Sequence, residues 1–224
     1  MNSSVIYNSA ADINTAMAGV YKNMSLAVLT SMIVSYLVST SPGLMAVLFG
    51  TALKWVVIFA PLVAVLALSF SLHRVSKSTA LAMLHGFAAL MGLSMATIFV
   101  VYASISIFTA FMSAAVLFGV MSFYGYFTRR DLTSLGQFMF VGLIAIIIAS
   151  VINIFIGSTV TQMVISAIAV VVFLGLTAYD TQNIRQQLSI STNGNVEVIG
   201  ALSLYLNFIN LFMSLLHLFG NKNE

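Results

Sequence analysis

The sequence contains no cysteine and only two prolines in 224 residues. Without cysteine, a disulfide framework and cysteine-based metal or redox chemistry are both excluded. Charged side chains are also scarce: they make up 6% of the chain, whereas a soluble domain carries roughly 25%. With so few charged residues, the composition does not fit a separate soluble domain.

Long hydrophobic runs dominate what is present. Hydrophobic residues make up 61% of the chain, and the mean hydropathy is +1.09. Crossing the hydrocarbon core takes about 20 predominantly apolar residues. The predicted spans are 24–40, 53–71, 79–102, 104–127, 136–157, 161–180 and 198–219. The sequence therefore predicts an all-α bundle of seven transmembrane helices over residues 23–220, preceded by a short tail over residues 1–22.

The connections between these spans differ in how clearly the sequence marks them. Residues 44–52 are apolar but too short to span alone, so they form either a connector at the interface or an early start of the second helix. Residues 102–106 separate the third span from the fourth without any charge and form the weakest boundary. Residues 181–197 are polar, and they predict a loop before the last span.

Lysine and arginine are distributed unevenly between the two sides of the predicted bundle. Two of them, Lys54 and Lys222, fall on one side. The six on the other side are Lys22, Arg74, Lys77, Arg129, Arg130 and Arg185. Basic loops favour the cytoplasm, so we expect a cytoplasmic N-terminus and a C-terminus on the far side, unless the last segment dips in and returns. Because the basic residues are scattered, the net charge of +3 predicts no nucleic-acid partner.

Asp180 is the only acidic residue within a predicted span, and it lies at the end of the sixth. Hydrocarbon penalises charge, so an ionisable residue in a membrane segment is a functional candidate. The alternative is a structural carboxylate at the water boundary, paired with Arg185 or capping a turn.

The last predicted span contains a stripe of polar residues along one side. Ser203, Asn207, Asn210 and Ser214 are spaced four, three and four residues apart, which puts them on one helical face. Such a stripe faces protein or water rather than lipid. It either forms hydrogen bonds between helices or lines a polar path.

Motifs of soluble enzyme chemistry are missing from the sequence. It has no glycine-rich phosphate loop, no nucleophile elbow and no histidine or carboxylate pair with metal-ligand spacing. One intramembrane aspartate cannot form the dyad of an aspartic protease. We therefore expect a protein that is not an enzyme, with no cofactor and no small-molecule substrate.

Three longer motifs are more specific than these patterns. They read GVMSFYGYFTRRDL at residues 119–132, GLTAYDTQ at residues 175–182 and GALSLYLNFINLF at residues 200–212. Together they resemble the Bax inhibitor-1 family, also called the transmembrane Bax inhibitor motif family. The stretch KWVVIFAPL at residues 54–62 resembles the bacterial branch of that family.

The resemblance implies a seven-helix fold with six helices around a central seventh, in the cytoplasmic (inner) membrane of a bacterium. Family members are described as pH-sensitive calcium leaks and as cytoprotective proteins, and some bacterial members associate with a membrane-bound ATP-dependent protease. Two hypotheses follow: a calcium leak, or a non-conducting regulator of such a protease or of another stress-response partner. Both share the lipid bilayer as a partner.

The family's leak uses two aspartates, one in each of the last two helices, and an arginine that latches the closed state. The resemblance matches Asp180 to the first aspartate, whereas Asn207 stands where the motif usually has the second. Asparagine keeps the shape and can hydrogen-bond to Asp180, but it cannot ionise. The usual proton switch depends on two carboxylates that titrate together. It is therefore not expected in its usual form.

The resemblance and the polar pattern together define the candidate site. The candidate set for pH sensing and gating is Asp180, Asn207 and Arg74, with Arg185 as the alternative latch. The candidate calcium path adds Asn210 and Ser203. Calcium enters only as a transported ion, not as a resident cofactor.

Overall fold

The computed structural model describes residues 10–72, 74–190 and 194–223. These residues form helices α1 (Ala10–Ser39), α2 (Pro42–Gly50), α3 (Leu53–Ser71), α4 (Lys77–Met95), α5 (Ile98–Val101), α6 (Ser104–Phe127), α7 (Thr133–Ile156), α8 (Thr159–Ile190) and α9 (Val196–Phe219). Within the described residues, seven helical segments are long and apolar enough to cross a membrane, with α4 and α5 counted as one. This confirms the predicted seven spans of a multi-pass membrane protein.

Short helices occupy the places where the sequence is hardest to divide. α2 has no buried residue and is separate from α3, as expected of a connector and not of an early start of the second span. The third predicted span is divided into α4 and α5. It ends at Val101, and the N–H of Ala103 then donates to the carbonyl of Asn221 over 3.0 Å.

α1 begins at Ala10, which corrects the predicted tail over residues 1–22. Residues 1–9 lie outside the described residues, but residues 10–22 are helical. Ala16, Met17 and Val20 are at most 2% exposed and recur at helical spacing. Because this stripe packs against other helices, the helix extends through a region that is polar in composition.

α8 continues to Ile190, although its polar end predicts a loop over residues 181–197. Thr181, Ile184 and Leu188 are buried at spacings of three and four residues, so one face of the extension packs while the other is polar. The end of an apolar run is therefore not the end of the helix here. Residues 191–193 lie outside the described residues; Gly194 and Asn195 then form a turn, and α9 begins at Val196.

One compact unit comprises the described residues of 1–101, 187–205 and 223. In it α1 packs along α4, closely enough that a Cβ on Gly92 would overlap the backbone of Ser31. The Ser31 hydroxyl donates to the carbonyl of Ala88, and the Tyr205 hydroxyl donates to the Ser31 oxygen, each over 2.7 Å. Hydrogen bonds therefore connect α1, α4 and α9 in this unit.

A second compact unit comprises the described residues of 102–186 and 206–222. Phe208 of α9 meets Phe111 and Phe118 of α6 edge-to-face, with ring centroids 5.4 and 5.6 Å apart. Edge-to-face pairs are favourable because the positive ring edge meets the negative ring face. These contacts hold α6 against the second half of α9.

α9 is the most buried of the seven spans. Of its most apolar 18-residue stretch, 72% is buried, compared with 17–39% for the other six spans. This is the burial expected of a central helix. Polar side chains are least costly in such a helix because they meet protein rather than lipid.

Candidate functional site

Asp180 and Asn207 are directly hydrogen-bonded. The Nδ2 of Asn207 donates to the Oδ2 of Asp180 over 2.7 Å. Asn207 is 5% exposed, and Asp180 is half-buried. A carboxylate accepts and an amide nitrogen donates, so the pair forms without a shared proton. The structure thus brings together two of the residues that the sequence singles out, while their role in gating stays a prediction.

A buried hydroxyl lies next to this pair in the sequence. The Oγ1 of Thr181 has no hydrogen-bond partner among the described residues, and Thr181 is fully buried. Thr177, one turn earlier, instead donates to the carbonyl of Phe173 over 2.7 Å. An orphaned buried hydroxyl is a place where a water molecule or an ion is expected.

The residues before Asp180 fix α8 against its neighbours in the second unit. A Cβ on Gly125 of α6 would overlap the backbone of Ala178, and one on Gly136 of α7 would overlap the ring of Tyr179. Only glycine lets these helices approach so closely. α8 is therefore held on two sides immediately before Asp180, and this fixes the position of the backbone that carries the carboxylate.

Gln182 fastens the connection between α6 and α7 to α8. Its Oε1 accepts the N–H of Leu132 over 2.9 Å, and its Nε2 donates to the carbonyl of Arg130 over 2.8 Å. Sequence reasoning did not single out Gln182, although the motif GLTAYDTQ ends on it. Its amide supplies both a donor and an acceptor, so one side chain satisfies two backbone groups of the loop.

The same connection contains a side-chain contact just before the start of α7. The N–H and the hydroxyl of Thr133 donate to the Oδ1 of Asp131 over 2.9 and 2.6 Å. The hydroxyl contributes most, and together these hydrogen bonds lower the pKa of the Asp131 carboxyl. Asp131 therefore stays ionised at the start of α7, where a negative charge is favourable.

Arg185, the alternative latch, has a different partner. Its Nη1 donates to the carbonyl of Tyr126 over 2.7 Å, and its guanidinium lies 4.6 Å from the centroid of the Tyr126 ring. Five residues of α-helix turn Arg185 by about 140° from Asp180. Its hydrogen bond and ring contact join α8 to α6, which is a structural role.

Asn210 and Ser214 of the polar stripe donate hydrogen bonds to the backbone of α9 itself. The Nδ2 of Asn210 donates to the carbonyl of Leu206 over 2.8 Å, and the hydroxyl of Ser214 donates to the carbonyl of Asn210 over 2.7 Å. These two side chains therefore do not use their donors to connect helices. Ser203 is half-buried and lies in the first unit.

A cavity of about 500 Å³ lies near the end of α9. Its α9 wall is formed by Leu215 and Phe219, so it begins about 12 Å along the helix from Asn207. Three hydroxyl-bearing residues of α6 contribute polar groups to the wall: Ser106, Thr109 and Ser113. Asn210 and Ser214 lie between Asn207 and this cavity along α9.

Arg74 is exposed, in the connection between α3 and α4 of the first unit. Its proposed pairing with Asp180 stays a prediction. Asn195 falls in the polar stretch for which the sequence predicts only a loop, but its buried amide contacts this connection. Composition alone cannot distinguish such a buried amide from a surface turn, because both belong to a polar stretch.

The described residues contain no group of three or more histidine, aspartate or glutamate side chains that could hold a metal ion. Oxygen atoms that could meet a passing cation come from Asp180 and from the amides of Asn207 and Asn210. Carboxylate and amide oxygens are the ligand types that calcium prefers.

Comparison with known proteins agrees with the fold and the motifs. The chain matches the family described as "Inhibitor of apoptosis-promoting Bax1" over residues 13–224. It is 38% identical over 224 aligned positions to inner membrane protein YbhL of Escherichia coli K12, covering 97% of this chain and 96% of YbhL. It is 36% identical over 212 positions to a protein of Rickettsia prowazekii, covering 93% and 90% of the two chains. It is also 38% identical over 233 positions to a membrane protein of Streptococcus pyogenes serotype M1, covering both chains completely. A match across nearly the whole sequence, with relatives of this identity, shows that the chain belongs to the Bax inhibitor-1 family.

Proposed function

We propose that this protein is a cation leak, with calcium as the transported ion, whose central pair is held together without a shared proton. The observation that carries the proposal is the 2.7 Å hydrogen bond from the Asn207 amide to the Asp180 carboxylate. It joins α8 and α9 at the positions where the family motif has its two acids. A path for cations needs such oxygen-bearing groups, because they replace part of the hydration shell of the ion.

Polar groups along α9 support a path in the second unit. Asn210 and Ser214 direct their donors to the α9 backbone, so the amide oxygen of Asn210 is left for water or a cation. Further along α9, the cavity adds the hydroxyls of α6. Lipid is a poor neighbour for so many polar groups, so they face protein or water. The amide oxygen of Asn210 and the hydroxyls of the cavity support the hydrated alternative.

The pair of Asp180 and Asn207 differs chemically from a pair of aspartates. Two carboxylates in contact repel each other and titrate as a coupled unit, so their separation depends on pH. With Asn207 the second negative charge never forms, and the hydrogen bond persists whenever Asp180 is ionised. We therefore expect a small leak that depends only weakly on pH.

Calcium flux into proteoliposomes between about pH 6 and 8, the range in which a coupled pair would titrate, tests the proposal. Asn207→Asp restores the second carboxylate and should increase the flux and make it steeper with pH. Asp180→Asn removes the remaining charge. It should open the closed state of the leak and so increase the flux. Asn210→Asp is the matched control: it adds an acid on the same helical face, one turn away, and should not produce the coupled pH response.

Two results would contradict this account. A steep pH-dependent flux in the native protein that Asn207→Asp leaves unchanged would show that the pair is not the switch. The next candidate sensor would be His85, whose Nδ1 lies 3.0 Å from the hydroxyl oxygen of Thr30. Sealed liposomes with every variant would reject the leak itself.

The same hydrogen bond favours a second candidate function. A pair that cannot carry two charges has no repulsive state, and this suits a non-conducting protein. The alternative is therefore a regulator that binds a membrane-bound ATP-dependent protease. Co-purification with such a protease from membranes, a changed rate of substrate degradation and tightly sealed liposomes would together support it; a protease whose rate is unaffected would argue against it.

The proposed location is the inner membrane, with the N-terminus in the cytoplasm. The relative YbhL is named an inner membrane protein, and the six-to-two distribution of basic residues supports the orientation. Because the chain lacks cysteine, single cysteines can be introduced and labelled from either side. Labelling beside Arg129 from outside intact cells would show that the orientation is the opposite of the one proposed.

A further inference from the structure

We infer that Asn195 is a positioning residue, which fastens the connection that carries Arg74 to the start of α9. The inference rests on the proposed function and on the predicted role of Arg74 as the latch of the closed state. The hydrogen bonds that carry the inference lie within the first compact unit.

The amide of Asn195 bridges the two sides of Arg74. Its Nδ2 donates to the carbonyls of Leu72 and Val75, each over 2.7 Å. Asn195 is 2% exposed, so water does not compete for these bonds. Both amide protons are used in this arrangement, and an aspartate of the same size could not replace them because an ionised carboxylate only accepts.

The carbonyl of Leu72 is a backbone group that α3 leaves unpaired, whereas the carbonyl of Val75 lies just before the start of α4. α3 ends at Ser71, and the last carbonyls of a helix have no partner within it. On the other side of the connection, the Oγ of Ser76 accepts the N–H of Thr79 over 3.3 Å and caps the start of α4. Asn195 thus bonds to a backbone carbonyl on each side of Arg74, and these two bonds restrict the backbone that carries it.

An ion pair adds a weaker fastening at the edge of this contact. The Nζ of Lys77, at the start of α4, lies 2.6 Å from the Oε2 of Glu197 in the first turn of α9. The lysine side chain is 45% exposed and that of the glutamate 13%, and partly exposed pairs of this kind are screened by water and salt. We therefore assign the main positioning role to Asn195 and a minor one to Lys77.

The consequence concerns motion. The backbone on both sides of Arg74 is bonded to the residue that precedes α9, so a shift of the start of α9 is transmitted to Arg74. Arg74 itself is exposed, and its long side chain alone would not hold a fixed place. Asn195 supplies the constraint that a latch at this position needs.

A spin label tests the fastening without any assumption about conduction. The cysteine-free chain allows Arg74→Cys to be labelled alone, and electron paramagnetic resonance then reports the mobility of position 74. Asn195→Ala and Asn195→Asp should both sharpen the spectrum, the second without leaving a cavity. Asn223→Ala is the control, because it removes an exposed amide bond to the carbonyl of Val100 in the same unit, and it should leave the spectrum unchanged. Spectra that are identical in all variants would overturn the inference.

Flux measurements test whether the fastening acts through Arg74. Asn195→Ala should raise calcium flux on the order of thirtyfold, the equilibrium shift expected for losing both hydrogen bonds of its amide. In an Arg74→Ala background it should cause no further rise, since residues that act together are not additive. Equal rises in both backgrounds would refute positioning through Arg74. Absence of flux in every variant would refute the proposed leak, while the spin-label result would still decide the fastening.

Discussion

α7 and α9 are helices of the same length, 24 residues, placed in opposite environments. The most apolar stretch of α7 is 17% buried, whereas that of α9 is 72% buried. α7 exposes large apolar side chains such as Phe138 and Phe155, and α9 buries Asn207 and Ser214. In a bilayer the surrounding lipid tails are as apolar as leucine, so hydrophobicity does not decide which helix is enclosed by other helices. Polar groups decide it, because they need partners that lipid cannot provide.

The comparison also teaches where substitutions should matter. A lipid-facing surface accepts apolar side chains of many shapes, because lipid adapts to them. An inner surface is defined by close contacts and hydrogen bonds, which a single added methyl group or a lost amide can disrupt. The effect of a substitution should therefore depend on whether the residue faces lipid or other helices, and not on its hydrophobicity.

The largest effect is expected where helices touch. Gly125→Val in α6 would place its Cβ against the backbone of Ala178, whereas a Cβ added at Gly119 on the same helix meets nothing within 4 Å. Overpacking costs about 1–3 kcal/mol and more where backbone must move, so we expect Gly125→Val to lose about 3 kcal/mol or more of unfolding free energy. Steric trapping in bicelles measures it. Similar losses for both variants would show that helix propensity, and not packing, causes the effect.

A smaller loss of unfolding free energy is expected when the buried amides of α9 and α7 are removed, and it should differ between the two helices. Asn207→Leu removes a hydrogen bond to a carboxylate and should cost about 1.5–3 kcal/mol, whereas a bond between neutral groups contributes about 0.5–1.5 kcal/mol. Asn153 of α7 has such a neutral partner: its Nδ2 donates to the Oε1 of Gln162 over 3.2 Å. Asn153→Leu should therefore cost less in the same unfolding experiment. The contrast between the helices fails if Asn153→Leu is the more damaging change.

The end of α7 offers a further comparison. Gly157 caps this helix with a φ of 68°, a left-handed conformation that costs other residues about 1–2 kcal/mol. Gly157→Ala should therefore destabilise the protein by about 1 kcal/mol. Gly86→Ala, inside α4 with no atom within 4 Å of the added Cβ, should instead stabilise it by up to about 1 kcal/mol. Thermal unfolding in detergent should show melting temperatures that move in opposite directions.

The smallest effect concerns the exposed start of α7. The hydrogen bonds from Thr133 lower the pKa of Asp131, so their contribution is present at neutral pH and is lost as pH falls through this lowered pKa. Thr133→Val removes the hydroxyl, which is the larger cause, and should raise the pKa of Asp131 towards its ordinary value. Thr133→Ser keeps both donors and should leave the pKa low. Carbon-13 NMR titration of the carboxyl group in nanodiscs distinguishes the two variants.

Several features of the site could be predicted from local patterns. The spacing of Asn207, Asn210 and Ser214 placed them on one face, and the motif placed Asp180 beside Asn207. Gln182 and Asn195 could not be recognised in this way, since their partners are backbone groups of distant connections. No periodicity marks such a contact.

The sequence by itself determined the number of spans, the membrane environment and the family, because apolar runs and motifs are local in the chain. It also determined the substitution of Asn207 for an acid. Only the tertiary structure decided how far α1 and α8 extend beyond the apolar runs, because burial of one stripe outweighs polar composition there. It likewise decided that Asn210 and Ser214 bond to their own helix while Asn207 bonds to Asp180. The physical reason is that hydropathy is a property of single residues, whereas a hydrogen-bond partner depends on which helix faces are brought together.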